Sequence, residues 1–100
     1  MDEKIADFIV DYFKEKRTSS ELMPIIGKNP MVFKYIKDPF TRRILYTKFL
    51  ESDYFKPSIF KKINNVLTLS LIKGTIEKYP CCVKYISTDN KYYTKFVHNN

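Results

Sequence analysis

Apolar residues recur along this chain at three- and four-residue intervals almost from end to end, the period of a helix face rather than of a strand. Ile5, Phe8, Ile9, Tyr12 and Phe13 give one apolar stripe to a helix expected over about residues 2–16. Asp2 and Glu3 suit its start, and Lys14, Lys16 and Arg17 its end, where each sign complements the helix dipole. Thr18-Ser19-Ser20-Glu21 has the form of a capping box for a short second element, which Pro24 keeps irregular and Gly27 should stop. Prolines then punctuate the chain. Asn29-Pro30, Asp38-Pro39 and Lys56-Pro57 each read as a helix start with Pro at the first helical position, and Asn29 and Asp38 would cap through their side chains. Helices are expected at about 30–37, 39–51 and 57–65. After a break at Asn64-Asn65 the period resumes from Leu67 to Tyr79, and Pro80 opens another short helix to about Ser87. Thr88-Asp89 should cap a last helix through Tyr92, Tyr93, Phe96 and Val97, fraying at Asn99-Asn100. The expected fold is all-α: one domain over 1–100, a compact bundle of six or seven short helices.

Part of the pattern occurs twice. Ile26 to Ile36 aligns with Ile76 to Ile86, fifty positions on, with both Ile pairs, both Lys pairs, Pro and Tyr identical. Tyr46-Thr47-Lys48-Phe49-Leu50 is echoed by Tyr93-Thr94-Lys95-Phe96-Val97, now forty-seven on, so the second copy is three residues shorter in its middle. A period of this size marks a duplicated supersecondary unit. The copies span about 22–50 and 68–98, each a Pro-opened short helix, a tight turn and a helix carrying Tyr-Thr-Lys-Phe. Packing accounts for the repeated Pro and Ile. A lysine snorkelling beside a rim tyrosine accounts for the repeated Lys-Tyr.

Composition narrows the function classes. With 44% apolar residues the chain can fill a core, and with two glycines it offers no Gly-rich phosphate cradle. The net charge of +7 is uneven: residues 1–21 balance to −2 and residues 22–100 to +9. A basic excess suits nucleic acid, an anionic surface or an acidic protein, and equally a soluble lysine-rich surface. Fifteen lysines against three arginines, with abundant Ile, Asn, Tyr and Phe, fit an A/T-rich genome such as that of a phage, a large DNA virus or a low-GC bacterium. Cys81 and Cys82 are adjacent and stand opposite Met31 and Val32, so they read as reduced core thiols rather than a disulfide or zinc site. The opening Met-Asp-Glu-Lys lacks a signal-peptide pattern, and no run reaches the roughly 18 apolar residues of a membrane span. A cytoplasmic location, without membrane contact, is expected.

The duplicated Pro-x-x-(Phe/Val)-Lys-Tyr-Ile, preceded by Ile-x-Lys, resembles the helical repeats of unknown function in giant-virus and intracellular-bacterial proteins. The likeness covers about residues 22–50 and 68–98 and is clearest from Pro80 to Ile86. It implies an α-helical interaction scaffold and transfers no catalytic residue.

Candidate chemistry is sparse. The one histidine, His98, stands near the end of the chain, and no nucleotide-loop, zinc-protease or serine-hydrolase motif is present. Asp7 and Asp11 alternate with Lys4 and Lys14 on the first helix and read as a solvated face. No catalytic residue, metal or cofactor is expected. Arg42 and Arg43 stand out, because arginine's planar fork suits carboxylate or phosphate and they lie in a first helical turn that favours acids. Tyr46, one turn on, would offer stacking area, and Lys61 and Lys62 are further candidates. The expected function is non-catalytic binding, as a viral or phage accessory protein that inhibits or redirects a host protein. The alternative is a basic nucleic-acid-binding protein using the 22–100 region.

Overall fold

The helical period becomes an all-α structure. The computed structural model describes residues 1–97, which contain six α-helices joined by 3-10 segments and no strand. The helices are α1 (Asp2–Lys16), α2 (Met23–Lys28), α3 (Pro39–Glu51), α4 (Pro57–Ile63), α5 (Leu69–Lys78) and α6 (Tyr93–Phe96). The expectations for Asn99-Asn100 and His98 fall outside the described residues. No helix is long and apolar enough to cross a membrane among the described residues.

The chain divides into two compact units, Met1–Phe55 and Lys56–Asn100, so the boundary falls between the two repeat copies. Each unit has the same order of elements. In the first, α1, the 3-10 segment Ser20–Leu22, α2, the 3-10 segment Pro30–Lys34 and α3 follow one another. In the second, α4, the segment Asn64–Val66, α5, the segment Pro80–Tyr85 and α6 do so. In both, the opening helix packs on the Pro-opened 3-10 segment. The duplication visible in sequence over two helices therefore extends to the five elements of a whole unit.

The junction before each proline shows the correspondence most closely. Asn29 (φ −136°, ψ 57°) and Tyr79 (φ −130°, ψ 81°) end α2 and α5 in nearly the same backbone conformation. The Val32 amide then donates to the Asn29 carbonyl and the Cys82 amide to the Tyr79 carbonyl, at 3.0 and 2.9 Å. Val32, Cys82, Ile36 and Ile86 are all buried. Both stretches, Pro30–Lys34 and Pro80–Tyr85, are 3-10 helices rather than the expected α-helices, and extended backbone follows each, at Asp38 and at Ile86.

Local signals hold where one residue settles them. α1 has the expected ends, with Arg17 in the left-handed region at φ 57°. Asp38 caps α3 by accepting from the Thr41 amide (3.0 Å) and hydroxyl (2.6 Å). Those bonds, the hydroxyl's first, hold the Asp38 carboxyl below its ordinary value. Pro30, Pro39, Pro57 and Pro80 each open a helical segment.

Five local expectations fail. Asn29 does not cap the segment after it; its amide donates back to the Ile25 carbonyl at 2.8 Å and closes α2. Gly27 does not stop α2, whose last residue is Lys28, and its φ is negative. Its value lies in space, since a Cβ there would stand 3.1 Å from the Tyr54 Cβ. Thr18 and Glu21 bond to each other at 3.3 Å, and no side chain caps the backbone of the segment that follows. Thr88-Asp89 does not cap α6, because Asn90 is drawn inward and spends residues 87–92 in turns. Finally, Cys81 is exposed while Cys82 is fully buried, so only one is a core thiol.

The core of the first unit is aromatic. Phe33 meets Tyr46 edge-to-face at 5.1 Å and Phe49 at 6.0 Å, and Phe49 meets Phe55 at 5.7 Å. Each such pair contributes about 0.5–1.5 kcal/mol beyond its buried area. In the second unit Phe60, Ile63, Ile72 and Cys82 are wholly buried. The echo of Tyr46 and Phe49 fails there in detail: Tyr93 opens a one-turn helix and is only half-buried, whereas Tyr46 sits mid-helix and is buried. The three missing residues thus remove the start of a helix as well as shorten a turn.

Candidate interaction surfaces

The sequence-predicted candidates separate by unit. On α3, Arg42 is half-buried and donates to the Ile36 carbonyl at 3.2 Å, closing the end of the 3-10 segment. Arg43 is exposed, with its guanidinium carbon 5.7 Å from the centre of the Phe40 ring. Tyr46 is 1% exposed, so it packs the core and cannot offer stacking area to a partner. The face that holds Tyr46 is set by tertiary packing against Phe33, which periodicity alone does not reveal. Lys61 and Lys62, at the end of α4 in the second unit, are both exposed.

α3 also exposes two apolar residues that its periodicity does not single out. Phe40 is 68% exposed and Ile44 42%. They are one turn apart, out of phase with the buried stripe of Thr41, Leu45, Phe49 and Leu50. An apolar arc this wide on one helix was the available signal. Ile44 continues into a groove of about 640 Å³ in the first unit, lined also by Phe13, Met23, Arg17, Lys48 and Glu51. A second groove, about 410 Å³, brings Asp7 and Asp11 together with Lys14 and Lys37, so both signs of charge share it. No group of three or more His, Cys, Asp or Glu is placed to hold a metal among the described residues.

In the second unit one buried asparagine organises the surface. The Asn64 side-chain amide lies 3.0 Å from the Lys61 carbonyl and 3.2 Å from the Phe60 and Tyr85 carbonyls and the Ser87 hydroxyl. Its side-chain oxygen accepts from the Ser87 amide and the Asn90 side chain, each at 3.0 Å. Asn90 in turn accepts from the Tyr92 amide at 2.8 Å. The end of α4, the end of the Pro80–Tyr85 segment and the 87–92 turns are thereby tied to one residue. Two lysines on these segments sit over the next residue's ring: Lys84 at 5.3 Å from the Tyr85 centre, and Lys91 at 5.2 Å from the Tyr92 centre. Lys34 repeats the contact over Tyr35 at 5.6 Å in the first unit.

The units also differ in charge and apolar exposure. In the first, ten bases face nine acids, whereas the second has eight lysines against Glu77 and Asp89, a net +6. All five exposed large apolar side chains, Met1, Phe8, Phe40, Ile44 and Tyr54, belong to the first. No protein-family model, curated protein or solved structure matches the chain.

Proposed function

We propose that this is a non-catalytic binding protein that engages a protein partner through the exposed face of α3. The observation that carries the reading is the pair Phe40 and Ile44, solvent-facing and one turn apart, with the Arg43 guanidinium over the Phe40 ring. Aromatic residues and arginine dominate the energetics of protein interfaces, and an apolar centre with a charged rim is the usual layout. The groove beside Ile44 gives a partner side chain somewhere to enter. The A/T-rich composition and the likeness to giant-virus helical repeats favour a viral or phage accessory protein, one that blocks or redirects a host factor in the host cytoplasm.

The structure changes which arginine should be tested. Arg42 supports the fold through the Ile36 carbonyl, so its reversal would confuse binding with stability. Arg43→Glu and Phe40→Ala change only exposed groups. Affinity purification of the tagged protein from its native host, quantified by mass spectrometry, should identify a partner whose recovery falls about thirtyfold in the Phe40→Ala, Arg43→Glu variant, about 2 kcal/mol for lost hot-spot residues. Unchanged recovery of every partner by that variant would remove α3 from the account.

A further inference from the structure

The second unit presents a different chemistry, independent of the α3 surface. Its eight lysines are all exposed, and no carboxylate pairs with any of them among the described residues. It has no arginine and none of the exposed large apolar side chains. A protein partner would require an apolar centre, and a bilayer would require side chains to insert; this unit offers neither. What it offers is ammonium groups beside aromatic rings, held by a buried network. Asn64 fixes the backbone at Lys61 and Tyr85 and, through Asn90, at Tyr92. Lys61, Lys84 and Lys91 therefore rise from segments anchored to one buried residue, and Tyr85 and Tyr92, both half-buried, lie under two of those lysines. Asp89, one of the unit's two acids, accepts from Asn65 at 3.2 Å.

We propose that the second unit binds single-stranded nucleic acid, with Lys61, Lys84 and Lys91 on phosphates and Tyr85 and Tyr92 beside the bases. Single strands suit the geometry because unpaired bases are free to stack, while ammonium groups track the backbone without reading sequence. Two thirds of the +9 carried by residues 22–100 thus lies in residues 56–100, since the 22–55 stretch has six bases against three acids.

The test is fluorescence anisotropy of a labelled single-stranded oligonucleotide with the whole chain, titrated across about 50–200 mM salt. Wild type should bind, and Lys61→Gln, Lys84→Gln, Lys91→Gln together should weaken binding by about tenfold or more and flatten the log–log salt slope by about 2, three phosphate contacts at about 0.7 each. Lys28→Gln, Lys34→Gln, Lys37→Gln removes the same charge from the first unit, including its own Lys-Tyr pair, and should leave the slope nearly unchanged. Tyr92→Leu keeps the bulk of the side chain and should lower affinity without altering the slope. The proposal is overturned by absence of binding at the lowest salt, by equal losses in the two lysine triples, or by oligo-glutamate or anionic vesicles binding as tightly as the oligonucleotide.

Discussion

Replacing Asn64 by alanine should cost the second unit much of its stability, although the sequence presents this residue only as a helix break. Its side chain is 1% exposed and contacts groups from three separate segments. Alanine would remove the partner of the Tyr85 carbonyl and of the Ser87 amide, and one of the two acceptors of the Asn90 amide, which keeps the Asn64 carbonyl at 3.0 Å. A buried polar group left unpaired costs about 1–3 kcal/mol, so two such groups, partly rehydrated, give about 3 kcal/mol. With a urea m-value of about 1.5 kcal/mol per molar, the unfolding midpoint followed by circular dichroism should fall by about 2 M. Asn65→Ala is the matched control. That neighbour is exposed and bonds only to Asp89, so its loss should stay within about 0.5 kcal/mol. Equal midpoints for the two variants would refute the role given to Asn64, and with it the anchoring of the lysine-bearing segments.

The two cysteines should react very differently: below pH 9 iodoacetamide should modify Cys81 in the folded protein and leave Cys82 untouched, read by peptide mass mapping. Burial, with the neighbouring Cys81 adding to it, raises the Cys82 thiol from 9.0 to about 11, so its contribution to stability is complete below pH 9 and is lost as pH rises through about 11. Cys82→Ser, with a smaller and more polar side chain, should flatten the alkaline limb of the stability curve. Gly74→Ala should stabilise by about 0.5–1 kcal/mol in urea titration, because a Cβ there meets no atom within 4 Å and the residue lies inside α5. A destabilised Gly74→Ala would contradict the open space around that residue.

What the sequence disclosed depended on how local the determining contact is. α1, the Asp38 cap and the four Pro-opened starts each rest on residues within one turn, and each is legible in the chain. The burial of Tyr46 and of Asn64 is not legible in the chain, because distant packing decides it. Tyr46 turns inward because Phe33 provides a ring to meet, and Asn64 is buried because Tyr85, Ser87 and Asn90 come to it from more than twenty residues away. The repeat was visible only where side chains were retained. α1 and α4 have different lengths and little common sequence, so their equivalence emerges from element order and from what each packs against. Of the candidate site, Arg43 and the lysines at 61 and 62 are exposed as expected; the exposure of Phe40 and Ile44 is not legible, because apolar periodicity does not say which part of a wide arc meets the core.

The central claim is that the protein meets its protein partner on α3. Site-specific photo-crosslinking in the native host tests it most directly, with a photoreactive phenylalanine analogue placed in turn at positions 40, 44, 61 and 84. The account predicts light-dependent adducts to one protein from positions 40 and 44, lost when Arg43→Glu is added, and no adduct to that protein from 61 or 84. Protein adducts arising only from 61 or 84, or none from 40 and 44, would contradict it.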